Sequence, residues 1–459
     1  MQATSMNELA EQVLAVPRSD VLIADRSGGL SLAEARQDAS DLVTEIRAAS
    51  SVVRPTVAVR LPLGSRAALC LTTAILHDLT VVFLDPAWPD ERTKAVLTAV
   101  RPHVVIDQEG VRAGDSDGAA TELVSGYLAM TSGSTGAAPK GVLAPWASVS
   151  RFVAAGAAEL ELDAAAVWAE PTPLSYDMAI TNVLLALASG AQLQLGSTAD
   201  GLRPLRFATR VGATHVRLAP RSVELAVAER RSAPPSLRVW GSGGDRLRTS
   251  HVRAVHELGI PAVVNTYGTS ETIGFASAAR LLTGADVPEH EGVVTVGDGR
   301  VGDWSVQLDS DQLLAIHSEW APGGYRFGGQ DGDGYPRWSS TGGVVTGDIG
   351  VHDGTNFFCL GRSGRRVKRH GIFIDLDYVD DLLERAHGVA SFTFQDPSGR
   401  LLTIAEIDAD RVTNVRKALA EVVTSEQLPE SLIPVARVPR LANGKVDQRQ
   451  ARELGASEA

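Results

Sequence analysis

A large α/β domain followed by a small α+β domain is the fold that the sequence predicts, and three observations predict it. Short Val- and Ile-rich runs alternate with Ala- and Leu-rich helical patterns over most of the chain, as layers of helix around largely parallel strands require. From Val293 to Gly350 the texture changes: Gly and Asp become dense and the apolar runs shorten, as in a β-rich subdomain. Beyond the basic connector Gly361-Arg362-Ser363-Gly364-Arg365-Arg366 the α and β patterns resume over a stretch long enough for a small separate domain.

The runs Thr56 to Arg60, Thr80 to Leu84, His103 to Ile106 and Ala262 to Asn265 read as buried strands, being short, β-branched and apolar. The longest apolar run, from Leu69 to Leu84, is interrupted by His77 and Asp78 and reads as a core element, not a membrane span. The connector places the domain boundary near Gly364, giving an N-terminal domain over 1–363 and a C-terminal domain over 364–459. No internal repeat is visible. The short polar tail after Asp447 gives the expectation that no carrier domain is fused.

Composition narrows the function. The formal net charge of −12 argues against a nucleic-acid partner. Cys70 and Cys359 are the only cysteines, too few for a disulfide framework or a cysteine-rich zinc site, and they suit a reducing cytoplasm. Met1 to Val13 carries Glu8 and Glu11 and no basic, apolar export signal, so a cytoplasmic location without membrane attachment is expected. His251 and His256 are spaced wrongly for two ligands on one helix face, and no H-E-x-x-H occurs.

The segment from Tyr127 to Gly141 carries the chemistry. After a short apolar run it sets Thr131, Ser132, Gly133, Ser134, Thr135 and Gly136, then Lys140 behind Pro139. Glycines let backbone N–H groups turn toward a phosphate, hydroxyls add donors and a lysine adds charge. A flexible linker has a similar composition, but this loop lies between apolar segments. Lys140 is followed by Gly141, so the Walker A spacing fails. Gly241-Ser242-Gly243-Gly244-Asp245-Arg246 puts arginine where a dinucleotide loop needs its third glycine. Ser132 stands where a nucleophile elbow needs glycine.

Further segments follow in order: Asn265-Thr266-Tyr267-Gly268-Thr269-Ser270-Glu271, Thr346-Gly347-Asp348, Gly361-Arg362 running to Val367-Lys368 and Gly371, and Asn443-Gly444-Lys445-Val446-Asp447. Upstream lies Leu84-Asp85-Pro86-Ala87-Trp88-Pro89-Asp90-Glu91-Arg92. With the loop, this set resembles the adenylate-forming superfamily of acyl-CoA synthetases, luciferases and the adenylation domains of nonribosomal peptide synthetases. The resemblance spans about Leu30 to Asp447. It implies a small C-terminal domain that moves between two half-reactions. It also implies ATP and Mg²⁺ as cofactors. Thr131 to Gly136 and Lys140 then hold the ATP phosphates, Glu271 binds Mg²⁺ and Tyr267, beside Gly268, stacks on adenine. Ser270 keeps the hydroxyl of the family's usual threonine. Asp348 accepts the ribose hydroxyls with help from Arg362. Lys445 is the catalytic lysine, bridging the substrate carboxylate and the α-phosphate. Taken alone, Asn443-Gly444 is a hairpin turn and Glu271 a helix-start glutamate. In the connector Gly364 and Arg366 stand where the family usually has Asp or Lys and then Gln. His370 and Asp375 replace the common arginine and glutamate. Gly364 can still serve as a hinge.

For the acid, Leu174-Ser175-Tyr176-Asp177-Met178-Ala179-Ile180-Thr181-Asn182 resembles the segment opening a pocket helix in amino-acid-activating members, where an aspartate pairs with the substrate ammonium. A helix N-cap is the other reading of Asp177. The same alignment gives Met178, Thr181, Leu218, Trp240, Ser242, Thr266, Gly274 and Phe275 as pocket wall. Trp240 and Phe275 are bulky, and no charged residue but Asp177 is among them. The expectation is therefore a small or medium uncharged amino acid, α or β, joined to AMP with release of pyrophosphate. It would then pass to the phosphopantetheine thiol of a separate carrier protein, as in natural-product assembly. Two rivals stand beside this reading: an acyl- or aryl-CoA ligase with coenzyme A as acceptor, and a non-catalytic nucleotide- or acid-binding regulatory member.

Overall fold

The computed structural model describes residues 9–10, 13, 21–116, 124–131, 140–327, 336–338, 343–369, 372–396, 399–421, 423, 427–441 and 444–458. The chain divides into two compact units. The first is made mainly of Met1–Gly133, Ala137–Thr346 and Gly350–Cys359, the second of Gly347–Ile349 and Leu360–Ala459. The boundary thus falls at Cys359–Leu360, upstream of the Gly364 read from the connector.

In the first unit one seven-stranded sheet runs Tyr325–Phe327, Lys140–Pro145, Gly126–Thr131, Thr80–Phe83, Thr56–Val59, Val104–Asp107, Gly110–Ala113. Its centre is parallel and its margins antiparallel. The expected strands are there. Thr80–Phe83 and Thr56–Val59 are buried throughout, which is why they read as continuous apolar runs and not as alternating ones. Between Gly126–Thr131 and Lys140–Pro145 the hairpin closes with Thr131 opposite Lys140. The phosphate-loop residues Ser132, Gly133, Ser134, Thr135 and Gly136 lie outside the described residues, as do His370, Gly371 and Asn443.

An eight-stranded sheet runs Ser277–Leu282, Ala262–Tyr267, Val239–Gly243, His215–Leu218, Val167–Glu170, Gln192–Leu195, Val21–Asp25, Gly28–Ser31. Its strands from Val167, His215, Val239 and Ala262 are parallel, so their carboxyl ends share one edge. Open α/β sheets bind ligands at that edge. Helix Asp177–Ala188 is apolar almost all round and accordingly buried from Ala179 to Leu187. Helix Leu32–Ala49 starts at a capping box between Ser31 and Glu34. It turns Leu32, Ala35, Ala39, Leu42, Val43 and Ile46 inward.

The β-rich stretch forms a further sheet around Trp304–Leu308, Leu313–His317 and Gly343–His352. One of its segments leaves it: Tyr325–Phe327 pairs with Lys140–Pro145, with Tyr325 opposite Val142. Gly141 permits that approach, since a Cβ there would stand 2.8 Å from the Phe327 ring.

The second unit has its own apolar clusters, centred on Val379, Leu383 and Leu432 and on Phe394, Ile404 and Ile433. Its sheet is Ser391–Gln395, Leu401–Ala405, Ser431–Pro434. Arg365 is buried within this unit. Its guanidinium bonds Asp377 at 2.7 Å and the Thr393 carbonyl at 2.7 Å, pairs with Asp380, and lies 4.3 Å over the Phe392 ring. No helix among the described residues is long and apolar enough to cross a membrane.

Candidate active site

The strand Ala262–Tyr267 delivers Tyr267 and then a tight turn. Gly268 is required there: a Cβ would lie 2.3 Å from the Gly274 carbonyl oxygen. The turn is closed by Thr272 N–H donating to the Thr269 carbonyl at 2.9 Å and anchored by Trp304 Nε1 donating to the Thr272 carbonyl at 2.8 Å. It leaves Ser270 half-buried and Glu271 buried. The Tyr325 hydroxyl donates to Glu271 Oε1 at 2.7 Å, and Lys140 Nζ stands 5.2 Å over the Tyr325 ring. Lys140, Tyr325 and Glu271, each from a different part of the sequence, therefore form one cluster. Tyr325 was absent from the residues singled out in the sequence. Only its pairing with the Lys140 strand brings it in. Tyr267 is buried, with its hydroxyl 3.0 Å from Thr346 Oγ1. Glu271 has no cationic partner among the described residues. A buried carboxylate held at one oxygen by a neutral hydroxyl suits a hard cation, since Mg²⁺ prefers oxygen ligands.

In the second unit, Asp348 and Arg362 pair directly, Nε to Oδ1 at 2.9 Å. The aspartate is buried and the arginine exposed. Lys445 is exposed at a turn in which Gly444 takes φ +85° and Leu441 N–H donates to the Lys445 carbonyl at 2.7 Å. Gly364 sits in a short 3-10 turn, Ser363–Arg365, beside the pinned Arg365. The connector glycine with φ in the positive region is Gly361, at +148°, where a Cβ would stand 2.6 Å from Asp377 Oδ2.

On the acid side, Asp177 is the first residue of its helix and half-buried, with Oδ1 accepting from Met178 N–H at 2.8 Å. Thr181 is fully buried and its hydroxyl is spent on the Met178 carbonyl at 2.9 Å. Thr266 and Phe275 both meet the Arg217 side chain, Thr266 through a 3.1 Å bond to Nε and Phe275 with its ring 4.8 Å below the guanidinium. Gly274, at φ +61°, backs onto Phe152, whose ring an added Cβ would strike at 2.2 Å.

Three expected wall residues fall elsewhere. In a strand, alternate residues face opposite sides. A Cβ on Gly241 would strike the Arg217 side chain at 2.9 Å, and one on Gly243 would strike Thr266 Oγ1 at 2.4 Å. Gly241, Gly243, Arg217 and Thr266 therefore share one face, and Leu218, Trp240 and Ser242 point to the other. Leu218 and Trp240 pack there with Leu205, Phe207 and Val263. The face joined to helix Asp177–Ala188 carries Arg217, so a wall free of charge apart from Asp177 is not what the structure has. Burial sets the electrostatics of this face. It pushes Glu170 up to about 7, against the hydrogen bonds of Asn182 and Thr172. It draws Arg217 down to about 10, which leaves the guanidinium charged at neutral pH.

Residues 125–304 match the family model for AMP-binding enzymes. The chain is 25% identical to phenyloxazoline synthase MbtB of Mycobacterium tuberculosis (strain ATCC 25618 / H37Rv), over 94% of this chain and 33% of that protein. It is 26% identical to the beta-alanine-activating enzyme of Homo sapiens, over 72% of this chain and 31% of that protein. The chain thus spans about a third of the length of these relatives. In fold it is similar to the crystal structure of IdnL7, with a TM-score of 0.82 at 17% identity and full coverage of both chains. With the ordered motifs, the paired α/β sheets and the Lys140–Tyr325–Glu271 cluster, these likenesses converge on the AMP-binding superfamily of adenylate-forming ligases, whose model residues 125–304 match.

Proposed function

We propose that the protein activates an amino acid with ATP and then passes the acyl group to a thiol. In the first step a substrate carboxylate oxygen attacks the α-phosphorus of ATP. The new O–P bond forms as the bond to pyrophosphate breaks, leaving an acyl-adenylate. In the second, a thiol sulfur attacks the acyl carbon and AMP leaves. Little covalent work falls to the protein, which must hold the partners in line and neutralise phosphate charge.

The observation that carries this reading is Glu271, a buried carboxylate without a cationic partner among the described residues and oriented by Tyr325. Glu271 would hold Mg²⁺, which when bound neutralises phosphate charge. Tyr267 would pack against the adenine and Asp348 accept from the ribose hydroxyls. Lys140 and Lys445 would supply cationic charge to the phosphates. Asp177 supports an amino acid: its Oδ2 has no partner among the described residues, and an α- or β-ammonium would give it one. The thiol would belong to the phosphopantetheine of a separate carrier protein.

Acid-dependent ATP–pyrophosphate exchange tests the reading. Exchange driven by an amino acid is expected. In Lys445→Ala it should fall by at least about 100-fold, the order typical of losing one transition-state charge contact, with ATP affinity little changed. ATP binding without exchange for any acid would overturn the proposal.

A further inference from the structure

Arg217 rises from the strand His215–Leu218 and lies across the neighbouring strand at two glycines. A Cβ at Gly241 would meet its side chain at 2.9 Å, and one at Gly243 would stand 3.4 Å from Nη2. A larger residue at 241 would strike the stem of the side chain, and one at 243 would crowd the guanidinium. The side chain ends between two elements: Nε donates to Thr266 Oγ1 at 3.1 Å and Nη1 to Asn182 Oδ1 at 2.9 Å. Asn182 lies one helical turn beyond Met178, on the helix that Asp177 begins.

Arg217 is 3% exposed. A cation so buried ordinarily has a carboxylate against it, because desolvating an unpaired charge costs several kcal/mol. Here none lies within ion-pair distance among the described residues, and Nη2 has no acceptor among them. Asp177 and Glu170 are the carboxylates whose charge acts on it from beyond that distance, and Glu170 is linked through an intermediary: Asn182 Nδ2 donates to its Oε2 at 2.6 Å, and Thr172 N–H to its Oε1 at 2.8 Å. Both oxygens are thereby engaged. The guanidinium fork is the side chain best matched to a carboxylate. It sits by the carboxyl ends of the parallel strands, on the face shared with the Asp177 helix.

We propose that Arg217 is a specificity-determining residue that binds a carboxylate carried by the substrate in addition to the one activated, so that the substrate class is an amino dicarboxylic acid. This rests on the amino-acid-activating reading above. Asp177 then meets the ammonium and Arg217 the distal carboxylate. The two protein charges and the two substrate charges neutralise one another.

The test is ATP–pyrophosphate exchange by the full chain with aspartate, glutamate and 2-aminoadipate beside asparagine, glutamine, alanine and β-alanine, in the wild type, Arg217→Met and Arg217→Lys. One dicarboxylic amino acid is expected to drive exchange best. Its kcat/KM should fall on the order of 100-fold in Arg217→Met, as when one partner of a buried charge pair is removed. Arg217→Lys should restore part of the loss, and the matching amide should be unharmed or improved by Arg217→Met. Wild-type exchange led by an uncharged amino acid would overturn the proposal while leaving adenylation intact, whether or not the variants fold. So would an equal fall for every acid, or a matching loss of ATP affinity, which would put the guanidinium on phosphate or in a purely structural role. Exchange with no acid at all would sink the adenylation reading and this proposal with it.

Discussion

Tyr325 joins two functional groups that the chain keeps far apart. Its hydroxyl holds one oxygen of Glu271 and its ring faces Lys140. A hydroxyl–carboxylate hydrogen bond contributes about 1.5–3 kcal/mol to stability, and it also fixes the direction in which the carboxylate points. Tyr325→Phe keeps the ring and removes the donor. In this variant the Mg²⁺ concentration that half-saturates exchange should rise roughly 10-fold, the equivalent of about 1.4 kcal/mol. Titrating Mg²⁺ against exchange rate in both proteins checks this, and an unchanged Mg²⁺ dependence would remove Tyr325 from the site.

At the scale of elements, Glu170, Asn182 and Arg217 bind a strand end, a helix and a second strand into one polar network within an apolar layer. Glu170 has no exposure, and burial raises it from 4.5 to about 7. Between those values the folded protein holds a proton that the unfolded chain has released. Glu170 therefore contributes stability that is full below pH 4.5 and is lost as pH rises through about 7. His215, lowered to about 4 chiefly by burial, acts in the opposite sense: its contribution is present above 6.5 and lost as pH falls toward 4. The total pH profile mixes the two. The stability difference between wild type and Glu170→Gln isolates the first. It should move against the wild type by roughly 3 kcal/mol from pH 4.5 to 7.5, in denaturant titrations of both proteins. A difference that stays flat with pH would mean that Glu170 is ionised throughout.

The whole molecule is two units with separate apolar cores. Arg365 anchors the start of the second, where it pairs with Asp377 and Asp380. Removing one member of a buried ion network is costly because the others are left charged and unpaired, by about 3 kcal/mol or more. Arg365→Met should lower the melting transition of the second unit and leave that of the first in place. Scanning calorimetry resolves the two. Equal displacement of both transitions would show that Arg365 acts on the chain as one cooperative block. The same anchoring bears on motion: with Arg365 held inside the second unit, Gly361 near the unit boundary is better placed than Gly364 to absorb a change in backbone angles.

Much of this was legible in the residues alone. The buried strands, the α/β layering, the β-rich stretch and the ordered motifs all depend on local patterns: side-chain periodicity, β-branched runs and glycines at turns. The motif holding Gly268 and Glu271 stood out in the sequence, whereas the tight turn at Gly268 and the burial of Glu271 came with the structure. Two further features were decided by the tertiary structure. Tyr325 reached Glu271 because its short strand left the β-rich sheet for the edge beside Lys140, a pairing between segments far apart in sequence. The strand face that meets helix Asp177–Ala188 carries Arg217, and Leu218, Trp240 and Ser242 lie on the other. Alternation along a strand divides residues into two sets, but only the packing of the two layers says which set meets helix Asp177–Ala188. The signal available was the polar alternation of His215 and Arg217 with Val216 and Leu218, opposite the glycines at 241 and 243. Sequence determined the local patterns because propensity and periodicity act over a few residues. The tertiary structure decided the charge on the face beside helix Asp177–Ala188 because burial and strand partnership are properties of the assembled layers.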